Sequence, residues 1–156
     1  MSNWKTYSTL KLDGKTLQKE ELIQYSKFIL NSDKSAWEKD IFYFILEWLN
    51  DEDFITANTS GSTGKPKQIK LQKSALIFSA TNTINFLDLK ENDSAILCIP
   101  AKYIGGKMML IRAFIGNLNL LYAEPKSNPF SELKTPIDFA AITPFQANKS
   151  EAKYFS

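Results

Sequence analysis

Histidine is absent from the 156 residues, and cysteine occurs once, at Cys98. Without histidine there is no imidazole to serve as a general base, to activate a hydroxyl or to ligate a metal. A single cysteine excludes a disulfide framework and a cysteine zinc site within one chain. Cys98 lies in Ala95-Ile96-Leu97-Cys98-Ile99, a setting in which a thiol packs as a small apolar group. Charge of one sign is scarce too. Nineteen basic against 17 acidic side chains leave +2 with no run of five like charges, so no nucleic-acid or anionic-membrane surface is announced. No stretch approaches the ~18 apolar residues of a membrane span, and Met1-Ser2-Asn3-Trp4-Lys5 opens no apolar leader. The expectation is a reducing, cytoplasmic setting, with no membrane span and no nucleic-acid partner. What the chain does have is apolar residues, 44% of the total. A chain of this length can bury roughly two thirds of its unfolded surface.

In chain order, Tyr7 to Leu12 reads as a short edge strand and Asp13-Gly14 as a turn. A helix is expected from about Leu17 to Leu30, burying Leu22, Ile23, Ser26 and Ile29/Leu30. The next begins at Ser35-Ala36-Trp37-Glu38, a capping box in which Ser35 and Glu38 satisfy two orphan N–H groups. Its stripe of Trp37, Ile41, Phe44, Ile45 and Trp48 has core spacing. Phe54 to Asn58 is a short strand, Ile69 to Leu71 a brief β segment, and Lys73 to Leu87 a helix. Ser94 to Ile99 is a nearly continuous apolar run, the pattern of a parallel strand buried on both faces. A helix from Lys107 to Ile115 follows Gly105-Gly106 and closes at Gly116-Asn117. Leu118–Tyr122 and Ile137–Ile142 complete the strands, with one helical turn at Phe130–Leu133 between them. Thr143-Pro144-Phe145-Gln146 starts a last helix, with Thr143 as N-cap and Pro144 first. Strands alternating with helices of this length predict an α/β fold with a mainly parallel sheet and helices on both faces. Residues 1–53 form a strand and two helices of the same domain as residues 54–156.

The stretch that carries chemistry is Thr59-Ser60-Gly61-Ser62-Thr63-Gly64-Lys65-Pro66-Lys67. Two glycines allow positive φ and close approach, so that successive N–H groups converge on one anion, and four hydroxyls and two ammonium groups add donors. It reads as a phosphate cradle. The Walker loop does not fit, because Pro66 stands where its second glycine belongs; the dinucleotide pattern fails for want of a third glycine. A Ser/Gly surface turn is the plainer alternative, although such a turn has no reason to set Pro66 between two lysines. Position for position, the stretch resembles the T-S-G-S-T-G-x-P-K signature of the AMP-forming adenylating enzymes, the acyl-CoA synthetase and luciferase-like superfamily.

A second segment, Pro100-Ala101-Lys102-Tyr103-Ile104-Gly105-Gly106-Lys107-Met108-Met109-Leu110-Ile111-Arg112-Ala113, is similar to the part of those enzymes in which P-x-x-H precedes a glycine pair and a helix. Within the superfamily it most resembles the o-succinylbenzoate:CoA ligases of menaquinone biosynthesis. The resemblance implies the N-terminal part of an acid:CoA ligase that forms acyl-AMP from a carboxylate and ATP, then transfers the acyl group to CoA, with Mg2+ as the further cofactor. By carry-over, Thr59, Ser60, Gly61, Ser62, Thr63, Gly64 and Lys67 would hold the ATP phosphates. Lys65 occupies a variable position, and a solvated surface lysine is an equal reading there. Tyr103, Gly105, Gly106 and Arg112 would contact the acyl substrate.

A lone arginine on an apolar helix needs an anion or an acid partner, so the alternative for Arg112 is an ion pair with Glu124 or Asp138. Tyr103 and Lys73 stand where the family pattern has histidines. The family's later motifs, including the glutamate on magnesium and the catalytic lysine, do not appear, and no glycine follows Gly116. The chain is therefore expected to be a partial N-terminal domain, inactive alone, with no catalytic or metal-ligating residue of its own. A non-catalytic phosphate- or nucleotide-binding module and a degenerate family member remain as alternatives.

Overall fold

The computed structural model describes residues 3–59, 64–65 and 67–150. After a 3-10 turn at Trp4–Thr6 come β1 (Leu10–Leu12), β2 (Lys15–Leu17), α1 (Lys19–Leu30), α2 (Ala36–Leu49), β3 (Phe54–Thr59), β4 (Lys67–Gln72) and α3 (Lys73–Phe86). Then follow β5 (Ser94–Leu97), α4 (Ile104–Gly116), β6 (Asn119–Tyr122), β7 (Phe139–Ala140) and α5 (Pro144–Lys149). Five strands make one sheet in the order β2-β1-β6-β5-β7, parallel except for the β1–β2 hairpin. Among the described residues the remaining two, β3 and β4, pair only with each other. The architecture is the expected α/β fold with a mainly parallel sheet.

The apolar run at Ser94–Leu97 lies between β6 and β7, as a strand with two buried faces should. Alternation sends Ala95 and Leu97 to one side, into the main core with Leu120, Ile111, Phe114, Trp48 and Phe44. Ile96 and Cys98 go to the other, into a smaller cluster with Phe130 and Ile137. The helical stripe of α2 packs as its spacing requires: Ile41, Phe44, Ile45 and Trp48 are all buried. Trp48 also donates its indole N–H to the Tyr7 carbonyl at 2.9 Å. Burying one such side chain contributes about 1.5–3 kcal/mol.

The structure corrects several local expectations. β1 is not an edge strand, because Asp13 and Gly14, at φ 45° and 79°, turn the chain back as β2 and make the edge from Lys15–Leu17. The first helix therefore starts at Lys19, with the Glu21 carboxylate accepting from the Gln18 N–H at 2.9 Å. At Ser35 the reciprocal backbone box is replaced by a side-chain bond, the Ser35 hydroxyl donating to Glu38 at 3.1 Å. The last strand is short, two residues paired parallel to β5. The box at α5 is as expected: Gln146 N–H donates to the Thr143 hydroxyl at 3.2 Å, and the Thr143 N–H to Gln146 Oε1 at 3.0 Å.

Candidate functional site

β3 and β4 pair antiparallel without a slip, from Phe54 opposite Gln72 to Thr59 opposite Lys67. The predicted phosphate stretch thus joins two strands that stay in register up to its ends. Of its residues, Ser60, Gly61, Ser62, Thr63 and Pro66 lie outside the described residues. Thr59 is the last residue of β3, and Lys67 is the first of β4, exposed. Lys65 is exposed as well. Gly64 has φ 122°, a backbone region open to glycine and strained for other residues, with open space where a side chain would begin.

Three residues before Thr59 the hairpin is held by side chains that the sequence reading passed over. Glu47 of α2 accepts from both the N–H and the hydroxyl of Thr56, each at 2.7 Å. Lys107 of α4 donates to the Thr56 carbonyl at 2.7 Å and to Glu47 at 2.9 Å. Burial pushes the Glu47 carboxyl up, but the bonds from Thr56 and Lys107 outweigh it and hold the group below its ordinary value. A signal did exist in the sequence: Glu47 and Lys107 are charges of opposite sign whose immediate neighbours along each helix are uncharged.

At the other end of the hairpin, Lys73 is wholly buried. Its ammonium donates to the carbonyls of Trp48 (2.9 Å) and Asn50 (3.2 Å) and to Asn50 Oδ1 (3.0 Å), between the rings of Trp4 and Trp48. It thereby caps the C-terminal end of α2, where a cation is favoured. Burial pulls its pKa down to about 8, against the pull of Glu47, Asp51, Glu52 and Asp53.

α4 carries the predicted acyl-binding residues. Tyr103 is its N-cap, half-exposed, with Lys102 over its ring. Gly105 borders the Ile99 side chain. Gly106 is pressed on the main chain: a Cβ there would lie 2.4 Å from the Pro100 carbonyl oxygen and 2.7 Å from Ala101 Cα. Lys107 faces the hairpin, and Arg112, roughly 140° further round a helix of 3.6 residues per turn, faces β7. The Arg112 guanidinium lies 6.0 Å from the Phe139 ring and 3.9 Å from Met109 Sδ. Its Nε is buried without a hydrogen-bond partner, and burial lowers its pKa. The ion pair weighed for it does not form among the described residues: Asp138 instead accepts from the N–H and hydroxyl of Ser94, each at 2.7 Å. Thus the structure joins the hairpin to the first turn of α4, while Arg112 looks elsewhere. A cleft of about 740 Å³ between α1 and the β1–β2 hairpin, lined by Leu12, Leu17, Tyr25, Phe28 and Tyr122, contains none of these residues.

Comparison with known proteins puts this arrangement in context. The chain aligns with an acyl-CoA synthetase (AMP-forming)/AMP-acid ligase II-like protein from Dyadobacter fermentans at 32% identity and a TM-score of 0.69, over 74% of this chain and 33% of that one. The fold is that of the N-terminal part of AMP-forming acyl-CoA synthetases. An o-succinylbenzoate CoA synthetase (MenE) from Bacillus subtilis, in complex with the acyl-adenylate intermediate OSB-AMP, shares the fold at a TM-score of 0.56. Its identity is 18%, over 85% of this chain and 43% of that one. Among curated proteins, an indoleacetate–CoA ligase from Aromatoleum aromaticum is 40% identical over 48 residues, 31% of this chain and 9% of that protein. No family model matches. The chain therefore spans a third of the first of these structures and less than half of the second. Among the described residues no helix is long and apolar enough to cross a membrane.

Proposed function

We propose that this chain is the N-terminal part of an ATP-dependent acid:CoA ligase. In such a ligase the acid's carboxylate oxygen attacks the α-phosphate of ATP, releasing pyrophosphate and leaving acyl-AMP. The CoA thiol then attacks the acyl carbon, AMP leaves, and a thioester results. The observation that carries the reading is the placement of the Thr59–Lys67 stretch, strung between strands paired to its ends, with Gly64 at φ 122°. In this reading Thr59, Ser60, Ser62 and Thr63, the backbones of Gly61 and Gly64, and Lys67 hold the pyrophosphate part of ATP. Converging donors of this kind favour charge where it develops. Mg2+ would neutralise phosphate charge in this chemistry. The described residues offer no group of three or more acidic, histidine or cysteine side chains to hold it, so no step is assigned to the ion.

The acid we favour is o-succinylbenzoate, which would place the protein in menaquinone biosynthesis. What supports this is Arg112, a half-buried guanidinium with no acidic partner among the described residues, set in the apolar helix that Tyr103 caps and that contains Gly105 and Gly106. A planar guanidinium is well matched to the second carboxylate of a dicarboxylic acid. The test is an assay with ATP, CoA and a panel of mono- and dicarboxylic acids, run on the protein carrying the remaining ligase regions and on the 156-residue chain. Acid-dependent pyrophosphate release from the longer protein, greatest with o-succinylbenzoate, is expected, with none from the shorter. Release from the 156 residues alone would overturn the assignment as a part, and a preference for monocarboxylates would overturn the assignment of the acid.

A further inference from the structure

Glu47 and Lys107 come from helices whose neighbouring residues are apolar, and they meet at 2.9 Å with side chains 22% and 10% exposed. A pair buried to this degree is weak evidence of stabilisation in itself, since apolar residues of similar size often serve as well. What sets it apart is the third party. Between them the two side chains take both the N–H and the carbonyl of one residue, Thr56, and its hydroxyl too.

Thr56 stands opposite Lys70 in the hairpin, and its own main-chain groups point to the other edge of β3. Among the described residues that edge meets no strand, because the hairpin is separate from the five-stranded sheet. An open edge is ordinarily covered or paired. Here one carboxylate and one ammonium cover it at Thr56, with charge-assisted bonds, the stronger kind. Each comes from a different helix, so the height and tilt of β3 are referred to α2 and to α4 at once.

We propose that Glu47 and Lys107 are positioning residues that clamp β3 at Thr56 and so fix the strand that leads into the phosphate stretch relative to α4, the helix that Tyr103 caps and that bears Arg112. The role in phosphate binding rests on the ligase reading above; the clamp on β3 does not. Its consequence is coupling: the strand entering the phosphate stretch and the first turn of the acyl-side helix share one ion pair, and a shift in either is felt by the other.

The test uses amide hydrogen exchange and titration with inorganic pyrophosphate on the 156-residue chain and its variants. In Lys107→Met, exchange at residues 56–59 and 67–69 should quicken about tenfold, on the scale of one lost charge-assisted bond, while β5 and β6 keep their protection. Lys107→Arg should restore most of the difference, which a general loss of packing would not allow. Pyrophosphate binding should weaken about tenfold in Lys107→Met and recover in Lys107→Arg. If Lys107→Met fails to fold, Thr56→Val, which removes only the hydroxyl bond, should quicken the same amides by a smaller factor. Unchanged exchange in β3 across foldable variants overturns the clamp. Failure of the unaltered chain to bind pyrophosphate overturns the phosphate reading, and the exchange data then still decide the clamp.

Discussion

At the scale of single residues, the glycine pair of α4 divides into two different demands. A Cβ at Gly106 would fall 2.4 Å from the Pro100 carbonyl oxygen, and backbone cannot swing aside as a side-chain tip can. At Gly105 the nearest atom is Ile99 Cδ1, at 3.2 Å, which can yield by a few tenths of an ångström. Alanine gains about 0.8–1 kcal/mol over glycine inside a helix, whereas forcing a group into a filled space costs about 1–3 kcal/mol. Gly106→Ala should therefore lower stability, by up to about 2 kcal/mol, and Gly105→Ala should leave it unchanged or raise it by less than about 1 kcal/mol. Denaturant unfolding of both variants checks this; equal midpoints would mean that the Pro100–Ala101 turn moves freely. The resemblance assigns both glycines to the acyl pocket, but Gly106 meets a packing requirement whatever the substrate is.

At the scale of elements, strands buried on both sides and helices with a clear stripe were legible in the sequence, because burial writes itself into residue type. β5, α2 and α4 fall within a residue or a few of their expected bounds. What was not legible is what edges and neighbours decide. Lys15-Thr16-Leu17 has only one buried position, too little pattern to reveal β2. Nothing in Phe54–Thr59 or Lys67–Gln72 says that they pair with each other outside the main sheet, since β4 is almost wholly exposed. In the candidate site, the motif could be read because its residue types are rare together, while the Glu47–Lys107 clamp needed two distant helices brought together. Lys73 is a related case, a lysine whose work is to tie the start of α3 to the end of α2. Its folded pKa is about 8 against 10.5 unperturbed, so above pH 8 the unfolded chain binds more protons than the folded one. This group therefore raises stability as pH rises from about 8 to about 10.5. From pH 9 the buried Cys98 thiol, pushed up to about 12, acts in the opposite direction, and Tyr122, also raised to about 12, joins it above pH 10. Between pH 8 and 9 the lysine outweighs the onset of the thiol, so the unfolding midpoint of the unaltered chain should climb while that of Lys73→Met should not; equal slopes would show that the buried amine is not the source.

At the scale of the whole molecule, the two predicted binding regions sit on bodies built differently. The phosphate stretch joins the strands of a hairpin attached by side chains, whereas Arg112 sits in a helix packed on the central sheet. In a ligase containing this chain, substitutions at Lys67 and at Arg112, neither of which belongs to the Glu47–Lys107–Thr56 contact, should affect different kinetic constants. On the proposed reading Lys67 would act on charge that develops as pyrophosphate leaves, so Lys67→Ala should slow adenylation on the order of a hundredfold for every acid. On the same reading Arg112 would bind a part of the acid remote from the reacting carboxylate, so Arg112→Gln should raise KM for a dicarboxylic acid by about tenfold to a hundredfold, the scale of one charge-assisted bond. It should leave KM for ATP and turnover of a monocarboxylic acid unchanged. Steady-state kinetics with o-succinylbenzoate and benzoate as paired substrates distinguish the cases. If Arg112→Gln slows both acids equally, the guanidinium serves the fold of α4 against β7, and the second carboxylate is bound by residues from the rest of the ligase.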